Sequence, residues 1–236
     1  MSKSVLITGA GTGIGLSCAK KFLDNGWHVY AHYHQTVDAL KELQKSKGVK
    51  NLTLIKADFS RDDEVKTFLK DIVLFKLNAL VNNAAVYDLS YSQSDRIKAV
   101  KEILFINTIA PTLIAETVFE GMKKEGGSIV NVSSIGVKFG SSSKNIFYSA
   151  SKSALEAVTR TLAREGAPFN ILVNTIRPGV IDTPFHAKLG KNMEERKKLI
   201  PLKRLGRPDE IAQSVYFLCA ENTFISSETM AISGGE

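Results

Sequence analysis

Short apolar runs rich in β-branched residues alternate along the chain with longer segments of helical period. Seven runs predict strands, at 5–8, 29–33, 52–55, 79–82, 129–133, 172–176 and 229–232. Apolar residues that recur every three or four positions predict helices near 14–25, 36–47, 61–73, 95–124, 146–166 and 208–220. Because several strand runs are apolar without alternation, both faces of the sheet should be covered. The pattern predicts one α/β domain over 1–236, a doubly wound (Rossmann) parallel sheet with helices on both faces.

Two segments interrupt this alternation, and both follow predicted strands. Residues 134–145 are rich in Gly and Ser, and residues 178–208 are divided by prolines around a basic helical patch. In an open α/β sheet the ligand crevice lies beyond the carboxyl ends of the strands. We therefore expect the chemistry of the protein in these two segments and in the other loops that follow strands.

Composition narrows the class of protein. Hydrophobic residues make up 44% of 236 residues, which supports a large core and excludes wholesale disorder. No apolar run approaches the roughly 20 residues that span a bilayer, and a strand predicted directly after Met1 leaves no room for a signal peptide. Cys18 and Cys219 lie in apolar, helix-like sequence and are interpreted as reduced core residues. We expect a cytoplasmic protein.

The net charge of +7 has two interpretations. It is typical of a basic soluble enzyme, or it indicates an anionic ligand such as a phosphorylated cofactor or substrate. Basic residues are not interleaved with aromatic ones, and no nucleic-acid-binding motif is present. We therefore expect no nucleic acid and no membrane among the partners.

A glycine-rich stretch at 8–15 follows the first predicted strand and opens the first helix. Glycines there allow a tight turn and a close approach of the backbone to a pyrophosphate, which the helix N-terminus attracts. Gly9, Gly13 and Gly15 give the spacing Gly-x-x-x-Gly-x-Gly. The position of the stretch at the start of a βαβ unit predicts a dinucleotide site.

Tyr148 and Lys152 are four residues apart in a predicted helix. This spacing places both side chains on one helix face, so the ammonium can lie beside the phenol. A neighbouring positive charge is expected to lower the tyrosine pKa towards neutral pH and to prepare the phenol for acid-base catalysis. The spacing alone is common on exposed helices, and the motifs around it give it weight.

Further motifs occur on or just after predicted strands, with one residue, Asn107, inside the long predicted helix at 95–124. In chain order they are Asp58, Asn82-Asn83-Ala84-Ala85, Asn107, Ser133-Ser134, and Pro178-Gly179 followed by Thr183. With the glycine-rich stretch and the Tyr148/Lys152 pair, they resemble the short-chain dehydrogenase/reductase family over the full chain. The segments 167–171 and 200–212 are similar to those of its 3-oxoacyl-[acyl-carrier-protein] reductases, although they recur in other reductases of the family.

The resemblance implies an NAD(P)-dependent oxidoreductase with four catalytic residues. Tyr148 would exchange the proton, Lys152 would lower its pKa and bind the nicotinamide ribose, Ser134 would donate to the substrate oxygen, and Asn107 would hold a water that joins Lys152 to solvent. Strand alternation leaves Ser133 as an alternative to Ser134. Asn107 is alternatively a polar helix residue that bonds neighbouring backbone.

The resemblance also implies a set of cofactor contacts. They are Gly9, Thr12, Gly13, Ile14, Gly15, Tyr33, His34, Asp58, Phe59, Asn82, Ala84, Tyr148, Lys152, Pro178, Gly179, Ile181 and Thr183. Asp58 and Phe59 would border the adenine, with the alternative that Asp58 caps the helix starting near Arg61. Thr183 would contact the nicotinamide carboxamide.

The end of the second strand favours NADP(H) over NAD(H). Tyr33 occupies the position of the acidic residue that would bind a ribose 2′-OH, and no carboxylate follows before Asp38. His34, with Gln35 and Thr36, offers donors to a 2′-phosphate. Against this, Thr12 stands where NADP enzymes often carry a basic residue.

Three histidines on one strand face, His28, His32 and His34, raise the question of a metal. A strand rises about 3.3 Å per residue, so these side chains diverge and no metal site is expected.

Residues at about 184–207 resemble the substrate lid of the family. Between 191 and 207 the sequence has seven basic residues and only two acidic ones, Glu194 and Glu195. They form either a solvated helix face or a rim that attracts an acidic carrier or a phosphorylated thioester. The resemblance predicts a carbonyl, alcohol or acyl-thioester substrate and favours an NADPH-dependent 3-oxoacyl thioester or ketone reductase.

Other functions and assemblies remain open from the sequence. An NADP-binding regulatory homologue without turnover is the main alternative, although such proteins tend to lose the Tyr or the Lys. A family-derived lyase such as a halohydrin dehalogenase is disfavoured by Lys152 and the intact glycine-rich stretch. The resemblance implies a homotetramer that pairs the helices at 95–124 and 146–166, or else a homodimer.

Overall fold

The computed structural model describes residues 2–47, 50–87, 95–140, 145–184 and 193–236. Its strands form one parallel sheet in the order β3-β2-β1-β4-β5-β6-β7. The strands are β1 (Ser4–Ile7), β2 (His28–Tyr33), β3 (Leu52–Lys56), β4 (Ala79–Asn82), β5 (Gly127–Val132), β6 (Ile171–Pro178) and β7 (Thr229–Ile232). The predicted doubly wound Rossmann fold is confirmed, and each of the seven predicted strands is present.

Helices connect the strands on both faces of the sheet. They are α1 (Gly13–Asp24), α2 (Asp38–Lys47), α3 (Asp62–Ile72), α4 (Arg96–Leu104), α5 (Ala110–Met122), α6 (Gly136–Phe139), α7 (Ile146–Gly166), α8 (Met193–Leu199) and α9 (Pro208–Tyr216). The long helix predicted at 95–124 is divided by a π-helical turn at Phe105–Ile109. A second π-helical turn at Phe217–Glu221 extends α9.

Two hydrophobic clusters, one on each face of the sheet, form the core. Alternation along β1 sends Val5 and Ile7 into the first core cluster, with α1, α2 and α9, and Leu6 into the second, with α3, α5 and α7. Each of the strands β1 to β6 thus contributes apolar residues to both faces, which explains the continuous apolar runs in the sequence. Cys18 and Cys219 are buried free thiols in the first core cluster, as predicted.

The segment Arg96–Met122 is long and apolar enough by composition to cross a bilayer, with a mean hydropathy of 1.4 in its most apolar stretch. The expectation that no segment reaches this limit is therefore wrong. Half of that stretch (50%) is buried in the fold. Its residues Ile114, Val118 and Phe119 belong to the second core cluster. The apolar character of the segment is therefore that of a core helix.

His32, on β2, links the glycine-rich turn to the end of β3. Its Nδ1 accepts a hydrogen bond from the Gly9 N–H at 3.1 Å, and its Nε2 lies 3.0 Å from the carbonyl oxygen of Ala57. Both bonds form only when the proton is on Nε2, so the imidazole is neutral. Its ring stacks on Phe59 with centroids 4.0 Å apart. Burial lowers the pKa of His32 to about 4, although the bond to Ala57 opposes this shift.

The three histidines considered as metal ligands have separate partners. His28 bonds Thr53, while His34 pairs with Asp58. Among the residues that the structure describes, no group of three metal-ligating side chains comes together. The divergence predicted from the strand rise fits these separate contacts.

We predict that His32 makes the stability of the protein sensitive to mild acid. A histidine titrates near pH 6.5 when unfolded, and the folded pKa is about 4, so its stabilisation is complete above pH 6.5 and is lost as the pH falls towards 4. The full loss is about 3 kcal/mol. Urea unfolding from pH 7.5 to 4.5 should show that the advantage of wild type over His32→Asn shrinks as the pH falls.

The control is Gln35→Asn, an exposed neighbour that carries no titratable group. Its difference from wild type should change much less over the same range. A His32→Asn difference that is constant with pH would contradict the assignment of a buried neutral imidazole.

Candidate active site

The carboxyl ends of the strands open into a cavity of about 300 Å³. Most of the predicted cofactor residues line it. These are Gly9, Thr12, Gly13, Ile14, His34, Asp58, Phe59, Ala84, Tyr148, Lys152, Pro178, Gly179, Ile181 and Thr183, and they are joined by Ser134. The glycine-rich turn and the Tyr148/Lys152 pair, more than 130 residues apart in sequence, thus face one space.

Three predicted cofactor residues do not line this cavity. Gly15 lies beneath the turn, where an added Cβ would be 2.2 Å from the Gly9 carbonyl oxygen. Tyr33 packs against the first core cluster because alternation points it away from the face that carries His32 and His34. Asn82 is buried and donates to the carbonyl oxygen of Pro111 at 3.0 Å and to Asn131 Oδ1 at 2.9 Å. Each of these three residues can affect cofactor binding only through the neighbouring residues that line the cavity.

The glycine-rich turn is shaped to receive an anion. Gly9 and Gly13 have φ values of +66° and +52°, which L side chains rarely adopt. Thr12 precedes the first turn of α1, and its side chain makes no capping hydrogen bond. The Thr12 side chain therefore leaves the N–H groups of that turn to other acceptors. This arrangement fits a dinucleotide pyrophosphate.

Asn83 and Thr8 hold the turn against the end of β4. Thr8 Oγ1 accepts from the N–H groups of Asn83 and Ala84, both at 3.0 Å. Asn83 Nδ2 donates to the carbonyl oxygens of Thr8 at 3.0 Å and Gly9 at 3.1 Å. Asn83 lies in the motif at 82–85, and the motif alone indicated no role for it.

Tyr148 and Lys152 lie on the buried face of α7. They are 7% and 2% exposed. Lys152 Nζ donates to the Val132 carbonyl oxygen at 2.8 Å and lies 6.0 Å from the centre of the Tyr148 ring. The predicted placement of an ammonium beside a phenol on one helix face is therefore present.

The prediction that the pKa of Tyr148 is lowered is wrong for this arrangement. Burial raises the pKa of Tyr148 to about 12, although a hydrogen bond with Ser134 lowers it in part. Burial lowers the pKa of Lys152 to about 8. The cost of burying a phenolate outweighs the hydrogen bond with Ser134, and the neighbouring Tyr87 adds to the rise in pKa. At neutral pH the phenol keeps its proton and most Lys152 side chains are charged.

The structure separates the two adjacent serines. Ser134 faces the cavity and is hydrogen-bonded to Tyr148. Ser133 also borders the cavity, but its Oγ donates to Glu156 Oε1 at 2.6 Å. Of the two hydroxyls, that of Ser134 is bonded to Tyr148, which fits the choice that the resemblance favoured, and its catalytic role stays a prediction.

Asn107 lies in the π-helical turn and is fully buried. Its Oδ1 accepts from the Val86 N–H, and its Nδ2 donates to the Val86 carbonyl oxygen, both at 2.8 Å. These bonds match the structural alternative considered for Asn107. They fix the segment that carries Tyr87, whose ring centroid is 4.7 Å from that of Tyr148. Tyr87 lines the cavity, and nothing in its sequence context signalled this position.

Asp58 does not cap α3, because the N-cap of that helix is Arg61, which leaves the adenine contact as a prediction. Its Oδ1 accepts from the N–H of Ser60 at 2.9 Å and from its hydroxyl at 2.8 Å, in the turn before α3, whose N-cap is Arg61. Its Oδ2 lies 3.4 Å from His34 Nε2 at the cavity wall. Burial raises the pKa of Asp58, but the bonds from Ser60 and the charges of His34 and Arg61 outweigh burial and lower it.

The predicted lid at about 184–207 is described in part, because residues 185–192, including Lys191, lie outside the described residues. The remainder contains α8 and a basic group that is largely paired. Arg196 contacts Glu236 and Lys197 contacts Glu194, while Arg204 and Arg207 contact Glu210. Ion pairing therefore removes much of the positive charge on which an attractive rim depends.

Comparison with known proteins agrees with this geometry. A family model described as enoyl-(acyl carrier protein) reductase matches residues 9–236. The chain is 31% identical to 3-oxoacyl-[acyl-carrier-protein] reductase FabG of Staphylococcus epidermidis, covering 100% of this chain and 99% of that protein. It is 34% identical to human dehydrogenase/reductase SDR family member 4, covering 99% and 87% of the two chains.

A solved structure shows the same fold with a cofactor. The crystal structure of BdcA in complex with NADPH has a TM-score of 0.87 and 29% identity, covering 99% of this chain and 93% of that one. The seven-stranded parallel sheet, the glycine-rich turn at its carboxyl edge and the match over nearly the whole chain lead to one conclusion. The chain belongs to the short-chain dehydrogenase/reductase family of NAD(P)-dependent oxidoreductases.

Proposed function

We propose that the protein is an NADPH-dependent reductase of ketones or 3-oxoacyl thioesters in which Tyr148 donates the proton. One observation carries the proposal. A buried tyrosine, hydrogen-bonded to Ser134 and backed by the Lys152 ammonium, faces the same cavity as a glycine-rich turn. Similarity to a 3-oxoacyl reductase supports the substrate class.

The residues that would hold the cofactor follow the carboxyl edge of the sheet. The N-terminus of α1 and the glycine-rich turn would bind the pyrophosphate, and Asp58 with Phe59 would border the adenine. Ile181 and Thr183 would face the nicotinamide. When bound, the cofactor supplies the hydride, and the protein orients and polarises the reactants.

The protein residues carry the proton chemistry. Because burial keeps Tyr148 protonated, its hydroxyl is ready to donate to the carbonyl oxygen of the substrate. Ser134 donates a second hydrogen bond to that oxygen and stabilises the developing alkoxide. The Lys152 ammonium stabilises the phenolate that remains. Asn107 positions Val86 and Tyr87, and its predicted role in holding a water remains a prediction.

The environment of His34 supports a preference for NADPH. His34 is exposed at the end of β2, and its ring nitrogen can donate to a 2′-phosphate. Among the described residues that line the cavity, Asp58 is the only carboxylate, and it is already paired with His34. No acidic side chain therefore takes the position that would bind a 2′-OH and repel a phosphate.

We also propose a cytoplasmic homotetramer, or failing that a homodimer. Ile97, Ile109 and Leu113, on and between α4 and α5, are exposed apolar residues, which supports a contact between copies along this helix. An acidic carrier as substrate remains a proposal. Of the described basic residues in the lid, only Lys198 and Lys203 make no ion pair, so the attraction of such a carrier would rest on these two.

We predict that Tyr148→Phe abolishes turnover and spares cofactor binding. Loss of the proton donor should lower kcat by about 100- to 10,000-fold, which is the usual contribution of general acid catalysis. NADPH oxidation with acetoacetyl thioesters and a ketone panel measures kcat, and fluorescence titration measures the NADPH Kd. Phe139→Tyr, on an exposed side chain outside the cavity, is the control.

Two outcomes would count against the proposal. Tight NADPH binding without turnover by wild type on any carbonyl would favour the NADP-binding regulator. Turnover that survives in Tyr148→Phe would remove Tyr148 from the proton donor role.

We predict that His34→Asp shifts the cofactor preference towards NADH. A carboxylate there would accept from the ribose 2′-OH and repel a 2′-phosphate, so the ratio of kcat/KM for NADPH to that for NADH should fall by about 100-fold. Gln35→Asp, which adds the same charge at an exposed neighbour outside the cavity, should change the ratio only slightly. An unchanged ratio in His34→Asp, or an equal change in both variants, would show that His34 does not read the 2′ position.

A further inference from the structure

Glu156 is a buried carboxylate on the catalytic face of α7 that the proposed reaction does not use. It follows Lys152 by four residues and Tyr148 by eight, so all three side chains lie along one face of the helix. Glu156 is 3% exposed. A charged side chain is rarely buried to this extent unless it is paired.

Two partners satisfy this carboxylate. Arg177 donates from Nε to Glu156 Oε1 at 2.7 Å and from Nη2 to Oε2 at 2.6 Å, in a bidentate pair. Ser133 Oγ donates to Oε1 at 2.6 Å. The pairing raises the pKa of Arg177, as expected for a guanidinium held by a carboxylate.

These three residues join the elements on which the active site is built. Ser133 directly follows β5 and precedes Ser134, and Arg177 lies on β6 directly before Pro178 and Gly179 of the cavity wall. Backbone bonds tie the same two strand ends together, from the Ser133 N–H to the Ile176 carbonyl at 2.8 Å and from the Ile135 N–H to the Pro178 carbonyl at 2.9 Å. A shift of Glu156 therefore moves the backbone on both sides of Ser134.

Stability alone is a poor reason for such a pair. Desolvation of two charges offsets most of their attraction, and apolar side chains of similar volume often stabilise a fold equally well. Hydrogen bonds have a preferred direction, whereas apolar contacts do not. The bonds of Glu156 therefore fix the position of the strand end that carries Ser134. A displacement of a catalytic group by about 1 Å is enough to slow a reaction by about 100-fold.

We propose that Ser133, Glu156 and Arg177 form a positioning network that holds Ser134 against Tyr148. This inference rests on the proposed function, because Ser134 is assigned there to the substrate oxygen. The three residues are positioning residues, and each acts through the strand end that carries Ser134 or through the cavity wall that follows Arg177.

The main test is the double variant Glu156→Leu/Arg177→Met, which removes both charges together and so avoids an unpaired buried ion. We expect urea unfolding close to that of wild type, an NADPH Kd within about threefold, and a kcat lower by about 10- to 100-fold. The exposed pair Arg160→Met/Glu165→Leu on the same helix is the matched control and should keep the wild-type kcat.

A second readout separates positioning from general structural damage. The Ser134 hydrogen bond lowers the pKa of Tyr148, so a loosened Ser134 raises it. In the direction of alcohol oxidation, where Tyr148 must accept a proton, the pH midpoint of kcat should move upwards in the double variant by about half a unit or more. A double variant that folds and keeps both the wild-type kcat and the wild-type midpoint would overturn the proposal.

Two further measurements keep the test decisive. If the double variant does not fold, Ser133→Ala, which removes one hydroxyl and keeps the ion pair, must show the same midpoint shift, and an unchanged midpoint overturns the proposal. If wild type turns over no carbonyl, the proposed function fails by itself. The network is then tested by hydrogen exchange of the Ile135 amide, which should speed up about tenfold or more in the double variant and overturns the proposal if it does not.

Discussion

The active site depends on the burial of a polar face of α7 against the carboxyl ends of β5 and β6. Residues four apart place Tyr148, Lys152 and Glu156 on this face, and all three are nearly inaccessible to solvent. Each must therefore find a partner in the protein. Lys152 donates to the Val132 carbonyl oxygen, and Tyr148 is hydrogen-bonded to Ser134. Glu156 accepts from Ser133 and Arg177. The geometry of the site follows from these pairings.

The same burial sets the charges of the site. It holds Tyr148 in the protonated form and weakens the hold of Lys152 on its proton. A reductase needs a proton donor at neutral pH, and this electrostatic state provides one. At the other end of the cavity, burial keeps His32 neutral so that it can accept from the Gly9 amide. Low solvent access thus shapes both the cofactor end and the catalytic end.

Much of the fold and part of the site could be predicted from the sequence, because they rest on local periodicity. Apolar runs gave the strands, and the spacing of Tyr148 and Lys152 gave their common face. The shift of the Tyr148 pKa was predicted in the wrong direction, because it depends on burial that no local pattern reports. The pairing of Glu156 and the structural role of His32 could not be predicted, because their partners, Arg177 and Ala57, are more than 20 residues away in sequence.

The most direct test of the account is transfer of deuterium from NADPH labelled at C4 of the nicotinamide to a ketone or 3-oxoacyl thioester, followed by mass spectrometry of the product. We predict one deuterium on the carbinol carbon of the alcohol, delivered from only one of the two C4 positions, because the residues that line the cavity would hold the cofactor in a single orientation. Bound NADPH that delivers no deuterium to any carbonyl substrate would contradict it.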